Sequence, residues 1–295
     1  MPSSYALHRK QIESIFIAWG MPANQAERSA EILAWADLHG VESHGISMLV
    51  EYDMRYRAGL IGMGATSAAG IRIAPTFGAE AKLGTDPWSF AAPSTDENPF
   101  LLDMATTTVA YGKIRNKMNE NVPMPFGWGS DKDGNPTTDP FDVTKRGGFM
   151  SPLGGTPEGS SYKGYGLSAM VNILSSALSG ATLITDPQHT KKPKGFDIGH
   201  FYLAIDPKLF RDEGEFEADV GAFTAALRAT KPADPQVPVM VAGDPQWKMA
   251  ETRRRDGIPI GKGLRQKLLA VAEQAGVEWL LDPVEQDGST SAKQG

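Results

Sequence analysis

The stretch that organises this sequence is residues 36–49, which read ADLHGVESHGISML. Apolar residues at helical spacing lead into it, and Gly40 is a typical helix end. A second helical pattern begins near Gly45, so Ser43 and His44 lie at a joint between two predicted helices. A serine at such a joint can cap the free N–H groups of the next helix. An imidazole there titrates near neutral pH, which suits proton transfer.

The alternative for the same pair is a capped helix that carries a surface histidine, and spacing alone favours it. A single Ser-His pair is a weak signal of catalysis, because catalysis needs a third group that orients the imidazole. The rest of the chain must therefore supply that group.

Composition limits the class of protein. The 295 residues suffice for one large or two ordinary domains. A formal net charge of −6 argues against a nucleic-acid-binding surface, and no apolar run has the length of a membrane span. The absence of cysteine excludes disulfides, thiolate metal sites and a cysteine nucleophile. Because Met1–Ser4 also lacks signal-peptide features, we expect a cytoplasmic protein.

The patterns divide the chain into helical parts and a strand-rich part. Helical periodicity covers residues 5–19, 22–40 and 46–58. Further on, the patterns predict strands at 100–104 and 199–205 and helices at 106–118, 165–179, 217–229, 246–255 and 261–275. We therefore predict a helical domain from 1–60 and 207–284, a strand-rich domain from 61–206, and a frayed tail from 285–295.

Seven short motifs follow one another in the order of a known protein family. They are ADLHGVESHG at 36–45, LGTDP at 83–87, LLDMAT at 101–106, PTTDP at 136–140, YKGYGL at 162–167, GHF at 199–201 with DP at 206–207, and AGDP at 242–245. As a set, they resemble the malate/L-lactate dehydrogenase family, which also includes ureidoglycolate, sulfolactate and piperideine-2-carboxylate reductases. Any one motif alone would be weak.

The resemblance implies a fold and an activity. The fold would be α/β and sulfolactate-dehydrogenase-like, hence not a Rossmann fold, with a helical domain made of the N- and C-terminal parts and a mixed-sheet cofactor domain. The activity would be hydride transfer between NAD or NADP and a small 2-hydroxy or 2-oxo acid, or a related imine. The family commonly forms homodimers, so a homodimer is expected, with no nucleic-acid or membrane partner.

The resemblance also implies roles for particular residues. His44 would donate or accept the proton, linked to Ser43 and oriented by Asp103. The cofactor-binding set would be Thr85, Asp86, Asp103, Met104, Ala105, Lys163 and Asp244. No metal ligand is implied.

Local structure offers alternatives for most of these residues. Asp103 can cap a helix that starts near Ala105, and Asp244 can cap the helix that follows it. The glycine and proline around Thr85 and Asp86 explain a tight turn unaided. Lys163 stands in a glycine-rich run at a predicted helix start. Without the family resemblance, this arrangement is only a weak indication of an anion-binding site.

Three other groups of residues do not require a ligand. Acidic residues at 131–142 lack the spacing of a calcium loop and predict a turn. His200 alternates with an aromatic residue on a strand and is expected in the core or a cleft. The arginines at 253–255 follow one another on a helix and are expected to form a solvated face.

The sequence departs from the family pattern in two places. Met48 stands where members usually carry an arginine that would grip a substrate carboxylate. After Gly59-Leu60-Ile61, family members usually continue for several tens of residues, with a histidine motif proposed as proton acceptor in some of them, whereas this chain runs directly into Gly62. An internal deletion at this tripeptide is our hypothesis. A shortened, catalytically silent relative is therefore the alternative to an active enzyme.

Overall fold

The computed structural model describes residues 4–38, 59–68, 70–186, 197–260 and 262–281, which form two compact units. The first unit contains residues 4–38, 244–260 and 262–281, and the second contains 59–68, 70–186 and 197–243. Ser43, His44, Met48 and the predicted helix at 46–58 lie outside the described residues. In chain order the described α-helices and strands are α1 (Tyr5–Ala18), α2 (Ala23–Leu38), β1 (Ile61–Thr66), β2 (Trp88–Ala92), β3 (Phe100–Met104), α3 (Tyr111–Glu120), β4 (Gly129–Ser130), β5 (Pro136–Thr137), α4 (Pro140–Lys145), β6 (Phe149–Met150), α5 (Tyr162–Asn172), β7 (His200–Ile205), α6 (Glu215–Arg228), α7 (Asp244–Asp256) and α8 (Lys262–Ala275). A π-helical turn (Ile173–Ala177) continues α5, and a short 3-10 helix (Pro207–Leu209) follows β7.

The first unit is helical, as the sequence predicts for both of its parts. The Ser4 side chain accepts a hydrogen bond from the Leu7 amide and so caps α1, whereas Gly20, at φ 87°, follows its end. Leu38 at the end of α2 packs with Ala250 of α7 in the unit's core. This apolar contact joins helices that are more than 200 positions apart in the sequence.

The second unit is built on a four-stranded sheet with the order β3-β2-β1-β7. Its three strand pairs are antiparallel, which distinguishes the sheet from the parallel sheet of a Rossmann domain. β1 lies between two strands, with Gly62 opposite both Ala91 of β2 and Ala204 of β7. β7 forms an edge within the described residues and keeps Leu203 40% exposed.

A smaller sheet has the order β5-β4-β6, and its strand β6 contributes Met150 to an apolar cluster of this unit. The cluster includes the fully buried side chains of Ile73, Ile114 and Met150. The turn between β4 and β5 is held by Asp131, whose carboxylate accepts hydrogen bonds from the amides of residues 133 and 135 at 2.9 Å each. The predicted turn at this place is confirmed.

α6 belongs to the sheet-containing unit, although the sequence prediction grouped residues 207–243 with the terminal helices. Arg228 of α6 donates to the Asp96 carboxylate at 2.7 Å, and Thr224 donates to the same carboxylate at 2.9 Å. The Thr95 amide also donates to the Glu217 carbonyl at 3.2 Å. These polar contacts hold α6 beside the loop between β2 and β3.

The helix after β3 begins later than predicted. The sequence predicts a start at Thr106, capped by Thr106 or Thr107, but α3 begins at Tyr111. The Thr106 amide and hydroxyl both donate to the Thr85 carbonyl, and the Thr107 hydroxyl donates to a nearby carbonyl. Because both hydroxyls act as donors to loop carbonyls, neither acts as the cap.

Within the described ranges, no helix combines the length and apolar composition that crossing a lipid bilayer requires.

Glycine is required at one position of α5 and not at its neighbour. A Cβ on Gly164 would lie 2.2 Å from the Leu153 amide nitrogen, whereas a Cβ on Gly166 would meet no atom within 4 Å. We predict that Gly164→Ala destabilises the protein by about 1–3 kcal/mol or more, because backbone must move. Gly166→Ala should stabilise it by about 0.5–1 kcal/mol through helix propensity. Urea unfolding of both variants checks this pair, and equal effects would contradict it.

Candidate active site

Asp103 is the charged residue of β3, and it is half-buried. It is the second-last residue of the strand and lies opposite Ser89 of β2. Within the described residues its carboxylate has no hydrogen-bond or ion-pair partner. Burial therefore acts unopposed and raises the pKa of Asp103 to about 6. A carboxyl group that titrates near neutral pH can hold or release a proton under physiological conditions.

The loop that contains Thr85 is bound to the end of β3. The Thr85 carbonyl accepts hydrogen bonds from the Thr106 amide at 2.9 Å and from its hydroxyl at 3.0 Å. Thr85 itself is buried, whereas Met104 and Ala105 are half-buried. The structure thus brings Thr85 together with the segment that follows Asp103, as one connected piece of backbone.

Asp86, by contrast, does not face solvent at all. Its side chain is fully buried, and its carboxylate accepts hydrogen bonds from the Ala68 amide at 3.0 Å, the Gly84 amide at 3.1 Å and the Ser168 hydroxyl. Burial raises the pKa of Asp86, and these hydrogen bonds oppose that rise. Asp86 therefore shapes the turn that holds Thr85, and its oxygens are directed at protein donors.

Lys163 lies in the first turn of α5 and is exposed. Its ammonium has no partner within the part of the chain that the structure describes. Two backbone donors of the same turn are already used, since the amides of Lys163 and Gly164 donate to the carbonyls of Ser160 and Leu153. An anion at this place would therefore depend on the ammonium more than on the helix amides.

A cleft of about 270 Å³ lies beside the start of α5. Its walls come from three segments of the chain, at 74–79, 130–136 and 149–161, the last two of which include ends of the small-sheet strands. Ser161, next to α5, contributes a hydroxyl that lies 3.0 Å from the Thr76 hydroxyl. Neither Asp103 nor Lys163 lines this cleft.

Asp244 and His200 occupy different settings. Asp244 is the first residue of α7, where a carboxylate interacts favourably with the helix dipole. His200 was expected in the core or a cleft, and this is wrong. It lies exposed on β7, stacked on Tyr202, with its Nδ1 3.1 Å from the Thr66 hydroxyl.

Sequence reasoning missed a buried arginine. Arg254 and Arg255 are exposed as expected, but Arg253 is only 9% exposed and donates from Nη1 to the Asp37 carbonyl. The available signal was its spacing, since Arg253 lies three residues after the buried Ala250 and so shares its helix face. The sequence analysis assigned all three arginines to a solvated face, although consecutive residues of a helix point in different directions.

Residues 50–269 match the family model of the malate/L-lactate dehydrogenases. The chain belongs to this family. A malate dehydrogenase of Pyrococcus horikoshii is 36% identical over 228 residues, which are 77% of this chain and 62% of that protein. The chain thus spans about three fifths of the length of the curated relatives it matches.

Solved structures show the same fold. A malate dehydrogenase from Entamoeba histolytica superposes with a TM-score of 0.85 at 22% identity, over 95% of this chain and 99% of that one. Sulfolactate dehydrogenase from Methanocaldococcus jannaschii superposes with a TM-score of 0.81 at 24% identity, over 94% and 98%. The predicted α/β, sulfolactate-dehydrogenase-like fold is therefore confirmed.

The raised pKa of Asp103 has a consequence for stability. The folded state retains this proton up to about pH 6, whereas the unfolded chain loses it near pH 4. Stability therefore decreases as pH rises from about 4 to 6 through this group. We predict that Asp103→Asn is more stable than the wild type at pH 7.5, by at most about 3 kcal/mol, with the difference fading toward pH 4.

Urea unfolding at pH 4.5 and 7.5 measures this difference. Asp212→Asn, an identical change at an exposed carboxylate, is the control and should leave both values unchanged. A loss of stability in Asp103→Asn at pH 7.5 would mean that the carboxylate has a stabilising partner.

Proposed function

We propose that this protein is an NAD(P)-dependent oxidoreductase that transfers hydride between the nicotinamide and the C2 carbon of a small 2-hydroxy or 2-oxo acid. Membership of the malate/L-lactate dehydrogenase family supports the reaction class. The observation that carries the proposal in this chain is Asp103, a half-buried carboxyl group without a described partner and with a pKa of about 6. Burying such a group lowers stability, and functional sites are where such groups concentrate.

The charged groups of the second unit fit a nicotinamide dinucleotide. Lys163 offers an ammonium that no described residue neutralises, which suits a phosphate. Asp103 offers carboxylate oxygens that suit a ribose hydroxyl or an imidazole N–H. Both NAD and NADP carry these phosphate and ribose groups.

We assign the proton transfer to His44. When bound, the cofactor supplies or accepts the hydride, and the protein supplies orientation and charge. His44 gives or takes the proton on the C2 oxygen, with Ser43 linked to it. The family resemblance assigns to Asp103 the role of orienting this imidazole, which would fix its tautomer and stabilise its cation. For Ser43 and His44, support comes from their sequence motif.

The remaining cofactor assignments follow the same proposal. Met104 and Ala105 present half-buried backbone beside Asp103, and Thr85 is attached to that backbone. Asp86 acts indirectly, by holding the turn. For Asp244, the first residue of α7, support comes from its sequence motif. The homodimer and the cytoplasmic location stay predictions, and light scattering of the purified protein tests the first.

Cofactor binding is the first test. We predict that NADH or NADPH fluorescence changes saturably on titration, and that Lys163→Gln weakens binding about 10- to 100-fold, because a charge-assisted contact is lost. Lys132→Gln is the matched control: that lysine is also exposed, but it pairs with Asp133 at 2.8 Å. Absence of binding by a folded wild-type protein would favour the catalytically silent relative.

Turnover should depend on the ionised form of Asp103. With a 2-oxo acid and the reduced cofactor, we predict that kcat/KM decreases as pH falls below about 6, where Asp103 takes up its proton. Asp103→Asn and His44→Ala should each lower kcat by about 10²- to 10⁴-fold, the usual value of a positioned acid or base. Full turnover in the triple variant of Ser43, His44 and Asp103 to alanine would refute these roles.

A further inference from the structure

Thr106 is a fully buried polar residue three positions after Asp103. Its amide and its hydroxyl both donate to the Thr85 carbonyl, at 2.9 and 3.0 Å. Its own carbonyl accepts a hydrogen bond from the Leu153 amide at 2.9 Å. Thr106 therefore binds two different segments of the chain, one at Thr85 and the other at Leu153.

Both of these segments are also bound to the same helix, α5. Next to Thr85, the Asp86 carboxylate accepts a hydrogen bond from the Ser168 hydroxyl of α5. On the other side, the Leu153 carbonyl accepts a hydrogen bond from the Gly164 amide of α5 at 3.2 Å. Gly164 and Ser168 are four residues apart, so the two contacts lie one helical turn apart on one face of α5.

These contacts form a closed ring that begins and ends at Thr106. We name it the Thr106 ring, and its members are Thr106, Thr85, Asp86, Ser168, Gly164 and Leu153. The side chains of Thr106, Asp86 and Ser168 are fully buried. A hydrogen bond lost among them is not replaced by one to water, so a buried polar group is left unpaired. This penalty disfavours other arrangements of the ring.

We propose that Thr106 and Ser168 are positioning residues that fix Asp103 and Lys163 relative to one another. Lys163 directly precedes Gly164 and is therefore attached to one side of the ring. Asp103, three residues before Thr106, is attached to the other side. A dinucleotide that contacts both groups binds more tightly when their separation is fixed in advance, because less freedom is lost on binding. This inference rests on the proposed function, which assigns both groups to the cofactor.

A ring that only stabilises the fold makes a different prediction. Its loss would lower the free energy of unfolding, and any change in cofactor affinity would be the same with or without the Lys163 ammonium. A positioning role couples the two residues, because misplacing an ammonium has no effect where the ammonium is absent. A double-mutant cycle between Ser168 and Lys163 therefore distinguishes the two roles.

The cycle consists of the wild type, Ser168→Ala, Lys163→Gln and the double variant. The NADH and NADPH dissociation constants are measured for the folded protein of each. We expect Ser168→Ala to weaken binding about fivefold or more in the wild-type background, and less than about twofold in the Lys163→Gln background. Ser179→Ala is the matched control, since the Ser179 hydroxyl donates at 2.6 Å to the Ser175 carbonyl of the turn that continues α5. The control should have no effect in either background.

Thr106 is tested by removing its hydroxyl alone. Thr106→Val leaves the Thr85 carbonyl with the amide donor only, and we expect cofactor binding to weaken about threefold or more. Thr106→Ser, which keeps the hydroxyl, should recover most of this loss. Thr107→Val is the control, because the hydroxyl of this buried neighbour donates to the Val109 carbonyl at 2.9 Å, outside the ring. If Ser168→Ala does not fold, Thr106→Val replaces it in the cycle.

Hydrogen exchange of the Thr106 amide gives a readout that needs no cofactor. Ser168→Ala removes a hydrogen bond on the far side of Asp86, so we expect faster exchange at Thr106 in this variant and not in Ser179→Ala. If the wild type binds neither NADH nor NADPH, the proposed function fails, and exchange alone decides whether the ring holds its two sides together. Additive effects of Ser168→Ala and Lys163→Gln on binding, or unchanged exchange at Thr106 in Ser168→Ala, would overturn the positioning role.

Discussion

The buried carboxylate of Asp86 is the interaction on which the second unit depends. It joins three segments that are far apart in the sequence: the exit of β1 at Ala68, the turn at Gly84, and α5 at Ser168. Their approach is so close that a Cβ on Gly84 would lie 2.3 Å from the Cβ of Ala68. Burial disfavours the charged carboxylate, so each of these donors is needed to offset its desolvation. This turn positions Thr85, whose carbonyl accepts the hydrogen bonds from Thr106 that hold the backbone after Asp103.

Local pattern predicts elements well where tertiary contacts do not compete. The prediction of residues 100–104 as a strand is confirmed to the residue. A short apolar run that follows a proline and precedes a loop is typical of a buried strand. The start of α3 is predicted five residues early. There the hydroxyls of Thr106 and Thr107 donate to loop carbonyls. Sequence periodicity does not predict such hydrogen bonds. Helix propensity depends on the local sequence alone, whereas contacts with the neighbouring loop determine where α3 begins.

Side-chain pairs that are far apart in the sequence are the contacts that sequence patterns do not predict. His8 and Asp37 are 29 residues apart, and Asp37 and Arg253 are 216 apart. Each looks ordinary by itself: a histidine and an aspartate on amphipathic helices, and one arginine of three. The family motifs locate Asp103 and Lys163 because they are read residue by residue. The motifs give no information on which distant side chains pair with one another.

The internal deletion stays a hypothesis, but the sheet limits where it can occur. A shift of one residue in a strand exchanges the faces of all its side chains, so a loss of residues inside β1 would disrupt its register with both neighbours. The suggested junction, Gly59–Ile61, lies at the entrance to β1, and Gly59 has a φ of 72° that suits a turn. Residues lost there leave Gly62 opposite Ala91 and Ala204. A junction at this tripeptide therefore preserves the central strand, and with it the sheet that carries Asp103.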